Sequence, residues 1–201
     1  MDDPIRLLQQ EVSRLRSENR DLKDEVSVLR SSIMGLISLQ QSIEQLGPET
    51  DVIVLLDNIL ASTLEAVGAS DGSLLLVDDD TNELVFAVVH GQARDRLTGF
   101  RIPIGEGIAG WVAAERKPAV VEDAAADHRF SPRVDQTFDF QTRSVAAVPL
   151  VYDERILGVI EAVNKTYDRE FTEDDRLLLQ VIGQLASEAI ALAERFAEAD
   201  V

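Results

Sequence analysis

The sequence predicts an α+β protein in which an N-terminal parallel two-stranded coiled coil leads into an antiparallel sheet with helices on one side. Three observations predict this. A seven-residue apolar repeat runs through the first forty-odd residues. Two pairs of apolar runs joined by polar turns follow, each reading as a β-hairpin. Helical apolar periods open and close the part of the chain that holds the hairpins.

The heptads come first. One core position holds Ile5, Val12, Asn19, Val26, Ile33 and Gln40; the other holds Leu8, Leu15, Leu22, Leu29, Leu36 and Ile43. The apolar members of the first row are all β-branched, and the second row is Leu except at Ile43. These shapes favour a parallel dimer over higher oligomers. Asn19 is the polar residue mid-row, where pairing with its own copy would fix register at some cost in stability. Glu11, Glu18 and Glu25 sit at g, and Arg16, Lys23 and Arg30 five residues later at e. Each g–e pair across a parallel dimer is opposite in charge, which selects orientation more than it adds stability. The expected dimer interface is therefore Ile5, Leu8, Val12, Leu15, Asn19, Leu22, Val26, Leu29, Ile33, Leu36 and Ile43. Residues 1–46 form the coiled coil, and 47–49, with Gly47-Pro48, form a linker or kink.

The remaining elements fall in residues 50–198. Apolar residues at a helical period over 50–67 predict a helix, stopped by the stretch 68–72. Residues 73–77 and 83–90 read as a hairpin around the turn Asp78-Asp79-Asp80-Thr81-Asn82. No second cluster of oxygen ligands lies near those aspartates, so they read as a turn, not a metal site. A short strand with Pro103, a helix over 108–115, a strand over 119–122 and an irregular segment with a short helix at 132–138 come next. Strands at 144–151 and 156–164 form the second hairpin. Thr172, with Asp175 three residues on, caps a final helix to about residue 197, with an apolar stripe of Leu178, Ile182, Leu185, Ala189, Leu192 and Phe196.

Composition narrows the function. The chain has 201 residues, 45% hydrophobic and 28% charged, which fits a folded domain plus an extension. No run of eighteen apolar residues predicts a membrane span, and no basic and apolar leader predicts secretion. There are no cysteines, which excludes disulfides, thiolate metal sites and cysteine nucleophiles and fits a reducing cytoplasm. The net charge of −18 opposes binding to nucleic acid or to an anionic membrane surface.

Gly105, Gly107 and Gly110 spell a G-x-G-x-x-G, so a dinucleotide site has to be tested. Pro103 does not suit the central parallel strand such a site needs. The following helix has only about two turns. Glu122 comes 17 residues after Gly105, short of the ~20 expected. The glycines are better read as a tight loop that lets a helix pack closely.

Residues 50–196 resemble a GAF domain. The resemblance rests on Ile-Pro-Ile-Gly-Glu-Gly-Ile-Ala-Gly-Trp-Val at 102–112, Pro-Ala-Val-Val-Glu-Asp at 118–123, Asp-His-Arg-Phe at 127–130 and Val-Pro-Leu-Val at 148–151. Ile-Leu-Gly-Val-Ile-Glu-Ala-Val-Asn-Lys at 156–165 and Phe-Thr-Glu-Asp-Asp at 171–175 complete it. Asn164, Lys165, Phe171 and Asp175 are similar to the Asn-Lys-Phe-Asp-Glu motif of cyclic-nucleotide GAF domains, departing at the last position, where Arg176 stands. The resemblance implies that Lys165 and Asp175 brace the domain, as structural ties as much as marks of a nucleotide site. It implies a pocket between the sheet and the segment after the short strands, drawing on Trp111, Asp123, His128, Arg129, Phe130, Phe138, Arg143 and Ser144. An Arg beside aromatic faces would suit an anionic ring compound; the same aromatics could equally be core. Bilin attachment and free methionine sulfoxide reduction in this fold use Cys, which this chain lacks. Haem would need His90, read here as structural, or His128.

The expected function is a dimeric, non-catalytic signalling module that senses a small molecule, with a cyclic nucleotide as the ligand class in view and no resident cofactor. Its helices would relay the signal to a signalling protein partner. The alternative is a ligand-free domain used as a dimerisation or interaction scaffold. No nucleophile–base set, HExxH, P-loop or histidine cluster supports an enzyme.

Overall fold

The computed structural model describes residues 4–47, 49–92 and 94–199. The chain divides into two units, one ending at Ser38 and one beginning at Leu39. The proposed kink at Pro48 lies outside the described residues.

The first unit is the body of helix α1 (Pro4–Glu44). Its heptad residues Ile5, Leu8, Val12, Leu15, Leu22, Val26 and Ile33 are each 45–66% exposed. Asn19 is exposed and Leu36 half-buried, while the side chain of Leu29 lies outside the described residues. A single chain thus leaves these seven apolar residues uncovered. Arg14 pairs with Glu11 at 2.6 Å and Glu18 at 3.6 Å along the same helix. Ile43, 8% exposed, belongs to the second unit and is buried there.

In the second unit, α2 (Val52–Val67) starts at Asp51, whose carboxylate accepts from the amides of Ile53 and Val54. It ends at Gly68, which takes the left-handed conformation that costs glycine nothing. Strands β1 (Ala69–Asp78) and β2 (Glu83–His90) form the first hairpin, and the short helix α3 (Arg94–Leu97) follows. Then come β3 (Arg101–Pro103), α4 (Gly107–Glu115) and β4 (Ala119–Val121). Next are α5 (Arg133–Phe138), β5 (Val145–Tyr152), β6 (Arg155–Lys165) and α6 (Glu173–Ala199). The strands make one antiparallel sheet in the order β3-β2-β1-β6-β5-β4. Pro103 lies in an edge strand, where its missing N–H breaks no ladder.

The expected placement of the helices on one side is corrected: they cover both faces. Side chains alternate along a strand. On one face, Gly183 of α6 sits so close to Val148, Leu150 and Ile160 that a methyl there would meet Val148 at 3.1 Å. Helix α2 lies against α6 and the first hairpin, with Leu56, Ile59 and Leu60 fully buried. On the opposite face, Leu75, Ala147 and Val159 form a second core with Ile108, Ala109 and Val112 of α4 and Phe138 of α5. Each fully buried leucine or isoleucine adds roughly 1.5–3 kcal/mol by leaving water.

Three further expectations shift. Strand β1 begins at Ala69, not at 73, because Gly68 turns the chain straight into pairing of Ala69 with Lys165. Helix α3 had no signal of its own in four residues. The buried stripe of α6 is Leu179, Ile182, Ala186, Ala189 and Ile190, while Leu178, Leu185 and Leu192 are only half-buried. The glycine loop does what its spacing suggested. Gly105 and Gly107 have φ of 94° and 72°, and a methyl on Gly110 would lie 2.9 Å from the Pro103 carbonyl.

Candidate functional site

The face of the sheet under α4 and α5 encloses a cavity with about 90 Å³ of interior space, several times what one ordered water requires. Its floor is β1 and β6, its side is the end of β2 with α3, and its cover is the segment 130–142 together with the start of α4. Phe86, Val89, Ile108, Phe130 and Phe140 give it an apolar wall.

The floor carries one exception to that wall. Glu161 projects from the middle of β6, in the otherwise apolar run 156–163, directly opposite Ser73 on β1. The Ser73 hydroxyl donates to Glu161 Oε1 at 2.6 Å. Burial raises the Glu161 pKa above the usual glutamate value, and the Ser73 bond opposes part of that rise. Glu161 is half-buried, and among the described residues no buried side-chain nitrogen or oxygen lacks a hydrogen-bond partner.

The other polar lining groups already have partners. Asp71, 6% exposed, accepts from the Ser70 hydroxyl at 2.6 Å and the Gln92 amide at 3.0 Å. Asp135 accepts from the amide and hydroxyl of Thr142. His90 reaches through the edge of the sheet to Asp57 on α2, Nε2 to Oδ1 at 2.9 Å, and Arg94 meets the same carboxylate at 3.2 Å. Glu106 accepts from the Ser131 hydroxyl at 3.1 Å and from Arg133 at 3.3 Å. Among the described residues no group of three or more His, Cys, Asp or Glu is placed to hold a metal ion.

Of the eight residues expected around a ligand, the structure puts Phe130 in the cavity wall. Phe138 is core, 8% exposed and edge-on to Phe100 at 5.0 Å. Trp111 lies outside the lining and carries the Arg129 guanidinium 4.5 Å over its ring. Arg129 in turn grips Asp127 with two hydrogen bonds of 2.9 and 2.6 Å, holding the Asp127 pKa down to about 2. Asp123 caps a short 3₁₀ turn at 124–126. His128 is 90% exposed in its side chain. The Arg143 amide donates to Asn164 Oδ1, and buried Ser144 accepts from the Lys165 amide at 3.2 Å. These seven organise or flank the cover without lining the cavity.

The four bracing residues do come together. Asn164 adopts φ of 59° and ties both ends of the cover's exit, accepting from Arg143 and donating to the Gln141 carbonyl at 2.9 Å. Lys165 Nζ pairs with Asp175 Oδ2, lies 5.5 Å over the Phe171 ring, and is 12% exposed in its side chain. Asp175 also accepts from the Thr172 amide and hydroxyl, while its own amide donates to the Thr172 hydroxyl. One carboxylate thus closes the capping box and bolts β6 to α6.

Sequence reasoning passed over Glu161, Ser73, Asp71 and Glu106. The signal for Glu161 was present, as the carboxylate that interrupts Ile-Leu-Gly-Val-Ile-Glu-Ala-Val at 156–163. The others became visible only when the sheet brought β1 beside β6 and the cover over α4.

The sequence model of the GAF domain matches residues 51–190. The chain belongs to the GAF family. This GAF domain is 37% identical over 99 residues to the dual 3′,5′-cyclic-AMP and -GMP phosphodiesterase 11A of Takifugu rubripes, covering 48% of the chain and 11% of the relative. It is 26% identical over 168 residues to the probable 3′,5′-cyclic phosphodiesterase pde-5 of Caenorhabditis elegans, covering 79% and 23%. The chain thus spans less than a quarter of the length of either relative.

Among solved structures, the GAF domain of a phosphoenolpyruvate-protein phosphotransferase from Coxiella burnetii superposes with a TM-score of 0.71 at 20% identity, covering 86% of this chain and 98% of that one. That likeness establishes the curled six-stranded sheet. A free methionine-R-sulfoxide reductase from Neisseria meningitidis, solved with its substrate, superposes at 0.65 with 28% identity, covering 80% and 88%. GAF domains are small-molecule-sensing signalling modules in phosphodiesterases and sensor proteins.

Proposed function

We propose that this GAF domain senses a small heteroaromatic ligand in the cavity over β1 and β6, and that it prefers a guanine-type ring. The observation that carries this reading is Glu161, a carboxylate on the floor of a mostly apolar cavity whose hydrogen bond from Ser73 engages Oε1. A carboxylate there gains most from a ligand that brings adjacent N–H donors. Guanine presents such an edge; adenine presents a ring acceptor beside its amine. Similarity to phosphodiesterases named for cyclic AMP and cyclic GMP supports the ligand class.

In the same reading residues 1–46 pair two chains in a parallel coiled coil, since a single chain leaves seven heptad residues from Ile5 to Ile33 exposed. Ligand binding shifts the cover, and His90 passes the shift to Asp57 on α2. The helices carry it to a signalling partner by as much as the ligand prefers one state. The chain acts in the cytoplasm without catalysis of its own, because it has no thiol and no nucleophile–base set. The scaffold reading is favoured by one observation, the exposed apolar residues Leu177 and Val181 on α6, at 48% and 52%.

Calorimetry with cyclic GMP and cyclic AMP tests the proposal. Saturable binding of cyclic GMP, weaker binding of cyclic AMP and loss of that preference in Glu161→Gln are expected. Binding of neither nucleotide overturns it.

A further inference from the structure

We propose that Arg133 and Glu106 form an exchangeable ion pair that controls entry of an anionic group into the cavity, with Arg133 leaving Glu106 for the ligand. The proposal rests on the nucleotide reading of the cavity given above.

Glu106 occupies the position that caps α4, yet its side chain caps nothing. Its two oxygens are instead turned to the cover, one to the Ser131 hydroxyl at 3.1 Å and one to Arg133 at 3.3 Å. Gly107 follows with φ of 72°, a backbone conformation that favours glycine. Arg133 is the guanidinium that lines the cavity among the described residues. It rests 5.4 Å over the Phe100 ring, which is itself packed edge-on against Phe138. The guanidinium of Arg133 therefore sits between an aromatic face and a carboxylate.

The pair is easy to part. The two side chains are 48% and 33% exposed, so water screens their attraction. Asp71, Asp135 and His90 are committed to other partners within the fold. Asp71 and Asp135 each hold two donors, and His90 is turned to Asp57. An incoming anion meets the carboxylates of Asp71, Glu106, Asp135 and Glu161, and Arg133 is the lining group able to offset them. A phosphodiester accepts the planar guanidinium fork with two oxygens. Glu106 is then the resident anion that the ligand must displace. Its charge sets the threshold for anionic over neutral ligands of the same ring.

The experiment compares cyclic GMP with guanosine, which has the same base and no charge, on the full chain and its Glu106→Gln and Arg133→Gln variants. Glu106→Gln should tighten cyclic GMP binding by roughly three- to tenfold and leave guanosine within about twofold. Arg133→Gln should weaken cyclic GMP by roughly five- to tenfold with guanosine again little changed. If both ligands change in proportion, or neither changes, the exchange is wrong while the cavity reading stands. If wild type binds neither ligand, the cavity reading falls and the exchange with it. Should Arg133→Gln lose its folded circular dichroism spectrum, the Glu106→Gln ratio of the two affinities decides alone.

Discussion

Glu161 and Ser73 stand opposite each other on β6 and β1 and share a hydrogen bond of 2.6 Å inside a mostly apolar cavity. Two effects oppose each other there. Burial raises the carboxyl pKa above its ordinary 4.5, and the Ser73 bond pulls it back by less. A group whose folded pKa is raised contributes stability below its unfolded pKa and loses it as pH rises through the folded value. Glu161→Gln keeps the shape and the Ser73 bond without the charge. Its urea midpoint should exceed that of wild type at pH 7, and the two should converge below pH 4.5. A variant less stable than wild type at pH 7 would count against a desolvated carboxylate.

Asp127 has the opposite sign. The Arg129 hydrogen bonds hold its pKa down to about 2 from an ordinary 3.8. Its contribution is complete above 3.8 and fades as pH falls through about 2. Asp127→Asn should melt below wild type at pH 6, with the gap closing by about pH 2. Thermal denaturation at several pH values reads this directly.

Asp175 answers to two neighbours at once, so its removal should cost more than either alone. Asp175→Ala leaves Lys165 unpaired in a site 12% exposed and opens the capping box. A loss of about 2–4 kcal/mol is expected from urea unfolding. Thr172→Ala, which opens only the box, should cost about 1 kcal/mol.

Two glycines separate close approach from open space. A methyl at Gly158 would lie 2.0 Å from the Leu75 carbonyl oxygen, on backbone that cannot yield. Gly158→Ala should cost at least about 3 kcal/mol or prevent folding. Gly35, in the middle of α1, has nothing within 4 Å, and Gly35→Ala should raise stability by about 0.5–1 kcal/mol.

The heptad reading has its own measurement. Light scattering should give two chains for wild type and one 22.1 kDa chain for the double variant Leu15→Glu, Leu22→Glu. Asn19→Val should leave a folded assembly with a broader range of sizes, because it removes the register signal and adds apolar contact. A wild type of one chain would remove the dimer from the proposal.

Local rules in the sequence carried far. The capping box at Thr172, the short strand with Pro103 and the glycine loop at 105–110 each follow from neighbours a few residues apart, and each is present. The Lys165–Asp175 tie came from family likeness and is also present. The cavity was less legible because its chemistry comes from residues far apart in the chain. Ser73 and Glu161 meet across 88 positions, and Ser131 and Glu106 across 25. Trp111, Arg129 and Phe138 looked like ligand contacts because aromatics and arginines in a cover segment serve packing and binding alike. A 4.5 Å stack of Arg129 on Trp111 satisfies both side chains against each other.

The bolt at Lys165 and Asp175 has a mechanical consequence. It fixes α6 at its first turn, and the helix then runs 27 residues, about 40 Å at 1.5 Å per residue. The buried stripe from Leu179 to Ile190 holds the helix to the sheet beyond that turn as well. Bolt and stripe together make α6 a stiff spine that moves only with the strands beneath it, so a change in the curl of β5 and β6 is carried along the whole helix rather than lost in one turn.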